Sequence, residues 1–210
     1  MVMTNKNSGI LNGDISVVKA VTGDMKEGVD YININNTSET KLGKMLSPGY
    51  SRRFMTFLGP VHTMKSFMYA IKVPNYPMKF LRKSTFNHKD QELLKGKFND
   101  LPNYWALVAY ALCQKVKSDK ELKQLLFDNK LMFTSYDVTK ATKFFNKTIV
   151  ASVPKHTMGK YIAIVRLIED LIKKNEFTDD KIEELVEKCK EHPDKDILDN
   201  IACTVIVKEN

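Results

Sequence analysis

Lys65, Tyr69 and Lys72 lie within a segment whose apolar residues Met64, Phe67, Met68 and Ile71 recur at helical spacing. At about 100° per residue, a helix places these two lysines and the tyrosine on one flank, beside its apolar face. Two ammonium groups and a phenol then meet at the edge of the core. Such lysines can hold a phosphate, or a deprotonated one can attack an opened sugar at its aldehyde carbon to form a Schiff base. They can equally be surface lysines that extend along the protein into water.

A second group of candidate residues lies at 156–166, where a helical repeat begins again. Gly159 and Lys160 stand near the start of this predicted helix, and the backbone N–H groups at that positive end can receive a phosphate. Alternatively, Gly159 only permits close helix packing. His156 can hydrogen-bond a ligand or cap the helix. Trp105, the only tryptophan, falls on an apolar stripe, which favours core packing and leaves a pocket wall as the other reading.

Three stretches of the chain carry short motifs, and both the motifs and their order along the chain are informative. Residues 41–47 read Lys-Leu-Gly-Lys-Met-Leu-Ser, residues 59–72 read Gly-Pro-Val-His-Thr-Met-Lys-Ser-Phe-Met-Tyr-Ala-Ile-Lys, and residues 156–166 read His-Thr-Met-Gly-Lys-Tyr-Ile-Ala-Ile-Val-Arg. This order resembles the NADAR (YbiA-like) domain family, especially its phage-encoded branch, over about residues 31–174. The family has Leu-Gly-Arg, Leu-Ser-Asn-Phe and a Ser-Val-Glu helix ending in Lys, and later Asn-x-Leu-Gly-Lys with Arg six residues on.

The resemblance implies a single α+β domain, mostly helical with a few short strands, and a ligand cleft between the 64–72 helix and the start of the 158–174 helix. It implies an N-glycosidase that acts on an ADP-ribosyl or related ribosyl-phosphate linkage without a cofactor. In a phage, such an enzyme would counter host defences that use NAD or ADP-ribose. The resemblance makes Lys72 the nucleophile or electrostatic catalyst. The ligand-binding residues that it implies are Lys65, Tyr69, Trp105, His156, Gly159, Lys160 and Arg166, with Lys65, Lys160 and Arg166 on phosphates.

Three departures from the family pattern fall on the expected site. Lys65 stands where the family has Glu, and an ammonium group cannot accept a hydrogen bond as a carboxylate does. Pro48 stands where the family has the amide of Asn, and no Trp-Gly follows Asp137. A second hypothesis is therefore a catalytically inactive protein that binds a nucleotide, nucleic acid or host protein. A carboxylate would have to reach Lys72 to restore acid–base chemistry, and the candidates are Asp137, Glu39 and Glu92.

Composition limits the class of protein. The net charge is +8, and residues 1–174 carry 28 Lys and Arg against 14 Asp and Glu, which favours an anionic partner or reflects an ordinary lysine-rich surface. No apolar run is long enough for a membrane span and the N-terminus has no apolar signal region, so we expect no membrane partner. Three cysteines without paired spacing fit a cytoplasmic location, in the host if the protein is phage-encoded. His62 and His88 lack the neighbours of a metal site.

The elements that must position these residues follow from periodicity. We expect a strand at 31–35, an extended segment at 54–58, and helices over 62–72, from near Pro102, and over 156–174. The sequence Ser-Asp-Lys-Glu at 118–121 predicts a capping box that opens another short helix. Residues 1–30 are predicted to be an N-terminal arm. Residues 175–210 are predicted to add an acidic surface helix, itself a candidate interaction module, and a strand or buried tail near 202–207.

Overall fold

The computed structural model describes residues 26–72, 78–87, 90, 103–138, 142–144, 147–149, 152–154 and 158–191. Its helices are α1 Lys41–Leu46, α2 Met64–Lys72, α3 Met78–Leu81, α4 Tyr104–Ser118, α5 Lys120–Asp128, α6 Gly159–Lys173 and α7 Asp179–Glu191. Its strands are β1 Tyr31–Asn33, β2 Phe54–Thr56, β3 Gly59–Val61, β4 Met132–Thr134, β5 Tyr136–Val138, β6 Thr142–Phe144, β7 Lys147–Ile149 and β8 Ser152–Pro154. The predicted mixture of helices with a few short strands is therefore confirmed.

Helix α4 lies at the centre of the core. It packs against α2, α5, α6, α7 and β2. Its predicted stripe of Val108, Ala109, Leu112 and Val116 is buried, while Trp105 at the first turn is only partly buried. Because Tyr104 and Trp105 are only partly buried, the first turn of α4 lies at the edge of the core.

Helix α2 is amphipathic in the way its spacing predicts. Met64, Phe67 and Ile71 are buried against the core. Lys65, Tyr69 and Lys72 lie on the neighbouring flank, as a repeat of 3.6 residues requires. The predicted helix over 62–72 is thus confirmed, with its first residue at Met64.

The strands form two-stranded pairs. Strands β1 and β4 pair in parallel, with Tyr31 opposite Met132, and β2 and β3 form an antiparallel hairpin in which Gly59 takes a φ of 94°. Strand β1 ends at Asn33, two residues before the predicted end. Strands β5 and β8, and β6 and β7, pair antiparallel between Tyr136 and Pro154, largely within the stretch 134–152 whose sequence pattern is ambiguous. The β1–β4 pair lies against α1 and α6 and brings residues 34–36 to the same side as the first turn of α6.

The start of helix α5 corrects one prediction. The capping residue is Asp119, whose Oδ1 accepts from the Leu122 backbone N–H at 3.2 Å, and not Ser118. Ser118 is instead the last residue of α4, where its hydroxyl donates to the Lys115 carbonyl at 2.9 Å. Asp caps a helix as well as Ser does, but with Asp119 as the cap the third helical residue is Leu122, so the reciprocal bond of a capping box does not form. Arg52 forms a bidentate ion pair with the same Asp119 carboxylate.

Helix α7 is the predicted acidic surface helix. Its narrow stripe of Ile182, Leu185 and Cys189 is buried against α4, and Lys117 of α4 forms an ion pair with Asp179. Most of the predicted arm at 1–30 and all of 202–207 lie outside the described residues. Within the part that the structure describes, none of the helices is both long and apolar enough to cross a membrane.

Candidate functional site

A cavity of about 600 Å³ opens beside the exposed flank of α2. It lies between that flank, the first turns of α4 and α6, and the two segments that follow β1 and α1. Among the described residues, its walls are formed by Ile34, Asn35, Asn36, Ser47, Pro48, Gly49, Lys65, Met68, Tyr69, Lys72, Tyr104, Trp105, Met158 and Lys160. The four residues from α2 are spaced i, i+3, i+4 and i+7, which is one face of a helix.

One wall combines lysines with aromatic rings. The Lys72 Nζ lies 4.7 Å from the centroid of the Tyr104 ring, and the Lys160 Nζ lies 6.0 Å from that of Trp105. The two rings meet edge to face with centroids 5.1 Å apart. Ring faces attract cations, so this arrangement helps to hold two ammonium groups from different helices at the cavity.

The third lysine of the wall stands at the start of α2. The Lys65 Nζ lies 5.6 Å from the Tyr69 ring and 5.8 Å from the Phe86 ring. Tyr69 and Phe86 are themselves in edge-to-face contact, with centroids 4.6 Å apart. Lys65 and Lys72 are therefore held at opposite ends of the same helical flank, with the Tyr69 ring between them.

Burial changes the acidity of two groups on this flank. Lys72 is half-buried, and its desolvation lowers the pKa of the ammonium group below the ordinary value for lysine. Desolvation raises the pKa of the Tyr69 phenol, which therefore stays protonated and able to donate a hydrogen bond. A lysine with a lowered pKa offers more neutral amine at a given pH than a surface lysine does, and neutral amine is the nucleophilic form.

The opposite wall is polar and uncharged. The Ser47 hydroxyl donates to the Asn36 Oδ1 at 2.7 Å, and Gly49 lies against the same Asn36 amide. Asn35 accepts from the Thr37 backbone N–H through its Oδ1 at 3.3 Å. Amide and hydroxyl groups of this kind can both donate to and accept from the hydroxyl groups of a sugar.

No carboxylate and no histidine lies among the described residues that line the cavity. Glu39 is exposed and outside the lining, while Glu92 and the side chain of Asp137 fall outside the described part of the chain. Within that part, no cluster of three His, Cys, Asp or Glu residues could hold a metal ion. The charged side chains among the described lining residues are therefore all lysines: Lys65, Lys72 and Lys160.

Five of the candidate residues from the sequence come together in this cavity: Lys65, Tyr69, Lys72, Trp105 and Lys160. Gly159 is the first residue of α6 and lies between two residues of the lining, Met158 and Lys160. Arg166 is not part of the lining, and its Nη2 lies 3.5 Å from the Phe133 carbonyl oxygen of β4. His156 lies outside the described residues.

Tyr104 and the residues of the polar wall, among them Asn36, are site residues that sequence reasoning missed. Tyr104 directly precedes Trp105, so an aromatic pair at a helix start was the available signal. Its ring lines the cavity, and burial raises the pKa of its phenol. Asn36 gives no comparable signal, because an exposed asparagine after a strand is typical of any turn.

Compared with known proteins, the chain matches no protein-family model, no curated protein and no solved structure.

Proposed function

We propose that this cavity binds a nucleotide of the ADP-ribose type and that the protein acts as a nucleotide-binding protein on a NADAR-like domain. The observation that carries the proposal is the lining itself: three lysines and three aromatic rings face a cavity without a carboxylate among its described residues. Lysine ammonium groups attract phosphate, and a volume of about 600 Å³ is within the range for small-molecule sites.

The two walls suit different parts of such a ligand. The pyrophosphate fits among Lys65, Lys72 and Lys160, which reach the cavity from both of its helical sides. The polar corner of Asn36 and Ser47 suits ribose hydroxyl groups. The Tyr104 and Trp105 rings offer apolar surface for a base.

A second candidate function is the N-glycosidase reaction, and the depressed pKa of Lys72 favours it. In this reaction the neutral Lys72 amine attacks the anomeric carbon of the ribosyl group, and the electrons of the glycosidic bond leave with the base, which takes up a proton. Ring opening gives an imine, and water then hydrolyses it to free the sugar and the amine. Binding ranks first because no acid that could protonate the leaving base lies among the described lining residues.

The test is calorimetric titration of the protein with ADP-ribose and with NAD, with mass spectrometry of the same samples. We expect both ligands to bind, and Lys72→Met to weaken binding about tenfold or more by removal of a charged phosphate partner. Lys123→Met is the matched control, because the Lys123 Nζ also lies over a ring, 5.5 Å from that of Phe177, but outside the cavity.

The two candidate functions give different outcomes in the mass spectra. Released base, or a Lys72 adduct trapped by borohydride, would make the protein a glycosidase. Binding without either would support the binding protein. Absence of binding by the wild type, or equal binding by Lys72→Met, would contradict the proposed site.

A further inference from the structure

The last turn of helix α1 is held by side chains from other helices. An α-helix leaves its last four carbonyl groups without partners of its own. Here the Ser47 backbone N–H donates to the carbonyls of Gly43 and Lys44, both at 3.1 Å. The Met45 carbonyl accepts from the Lys115 Nζ at 2.6 Å, and the Leu46 carbonyl accepts from the Tyr161 hydroxyl at 2.8 Å. All four carbonyls therefore have donors, two of them from α4 and α6.

Both of these donors are buried. Lys115 is 1% exposed and Tyr161 is 0% exposed. Burial of an ammonium group or a hydroxyl is unfavourable unless it gains good hydrogen bonds. Apart from the Met45 carbonyl, Lys115 faces the Tyr50 ring, with its Nζ 5.7 Å from the centroid, and the charges of Asp119 and Arg52 act on it. Two polar groups whose burial is unfavourable therefore lie at the end of a six-residue helix.

The turn that follows this helix is a wall of the cavity. Ser47, Pro48 and Gly49 all line it. The Ser47 hydroxyl fixes the Asn36 amide, and the Pro48 carbonyl accepts from the Lys65 backbone N–H at 2.7 Å. A shift of the α1 end would therefore move the polar wall and, through Pro48, the start of the α2 flank that carries Lys65.

We infer that Lys115 and Tyr161 are positioning residues of the ligand site, which fix the end of α1 and thereby the turn at 47–49 with the Asn36 amide. Neither residue lines the cavity. Their effect on a ligand rests on the proposed function, but their effect on the turn does not.

Hydrogen exchange of the ligand-free protein tests the positioning directly. Tyr161→Phe removes only the hydroxyl, so the Leu46 carbonyl loses its donor while the ring stays in the core. We expect amide exchange at Ser47 and Tyr50, whose N–H groups are bonded within this turn, to become about fivefold faster or more, with smaller changes in α2 and α6. Thr56→Val is the matched control, because the Thr56 hydroxyl donates to the Gly59 carbonyl at 3.0 Å in the β2–β3 hairpin. Exchange at 47–50 that is unchanged in Tyr161→Phe would overturn the inference.

Binding of ADP-ribose supplies the second readout. Tyr161→Phe is expected to weaken binding about threefold to tenfold at a temperature where both proteins are fully folded, and Thr56→Val to leave it unchanged. Lys115→Met is expected to act in the same direction as Tyr161→Phe. If the wild type binds and Tyr161→Phe binds equally well, the inference is overturned. If the wild type does not bind, the proposed function fails, and the exchange experiment still decides whether these residues fix the turn.

Discussion

The hydroxyl groups of Tyr104 and Tyr161 differ in their hydrogen bonding. The Tyr161 hydroxyl donates to the Leu46 carbonyl, whereas the buried Tyr104 hydroxyl has no hydrogen-bond partner among the described residues. We expect Tyr161→Phe to lower the free energy of unfolding by about 1–2 kcal/mol because a buried carbonyl loses its donor, and Tyr104→Phe to leave it unchanged or raise it by up to about 1 kcal/mol. Urea denaturation measures both. A loss in Tyr104→Phe equal to that in Tyr161→Phe would show that the Tyr104 hydroxyl is bonded.

Lys115 predicts a pH dependence of stability. Desolvation lowers the pKa of its ammonium group from 10.5 to about 7, against the opposing effect of the Asp119 carboxylate. Between these two values the unfolded chain binds more protons at Lys115 than the folded protein does. Its contribution to stability is therefore flat below about pH 7 and rises with pH above it.

The measurement is the free energy of unfolding of wild type and Lys115→Met at several pH values from 6 to 9. Because Met cannot titrate, the difference between the two proteins isolates Lys115. Above pH 7 we expect the free energy of unfolding of the wild type to rise relative to that of the variant. The slope of this difference should be up to about 1.4 kcal/mol per pH unit. A difference that is the same at every pH would mean that Lys115 keeps its ordinary pKa in the fold.

At the scale of residues, helical spacing alone places Lys65, Tyr69 and Lys72 on one flank, and the structure confirms it. Trp105 and Lys160 join them only through packing of α4 and α6, so the sequence predicts their meeting through the family resemblance and not through periodicity. Asn36 could not be predicted, because its place depends on the fold of two turns that are distant in sequence.

Among the elements, α1 depends on the absence of a side chain at Gly43. A Cβ there would overlap the Asn33 carbonyl oxygen of β1 and the Ser38 hydroxyl. We expect Gly43→Ala to push α1 away from β1 and to lower the free energy of unfolding by about 1–3 kcal/mol, despite the better helix propensity of alanine.

Thermal and urea denaturation of Gly43→Ala check this expectation. Lys44→Ala is the control, since Lys44 is exposed in the same helix and its substitution is expected to change stability by no more than about 0.5 kcal/mol. Stability of Gly43→Ala equal to that of wild type would contradict the close approach of α1 to β1.

The long helices follow from the sequence, whereas most of the short strands do not. Helices α2, α4, α6 and α7 carry apolar repeats over two turns or more, which is long enough for a period to be read. Strands β4 to β8 are three residues each, and three residues cannot show an alternation that distinguishes a strand from a loop. The sequence pattern favours Ser118 as the cap of α5 and the structure has Asp119, because both are good capping residues and only packing decides between them.

For the whole molecule, charge and cavity point to the same class of ligand. Residues 1–174 carry twice as many basic as acidic residues, and the acidic helix α7 lies on α4 beyond the cavity lining. The excess of positive charge therefore lies in the part of the sequence that supplies every described residue of the cavity lining. A charge of this sign speeds the approach of an anionic ligand, and added salt weakens its effect.

The central claim is that the cavity beside α2 is a nucleotide site, and Trp105 provides its most direct test. It is the only tryptophan of the chain and it lines the cavity, so tryptophan emission reports on this site alone. We expect titration with ADP-ribose to change the emission saturably, with a midpoint that rises with salt and is higher in Lys72→Met. Emission that does not change at millimolar ADP-ribose, or a midpoint that Lys72→Met leaves unchanged, would contradict the account.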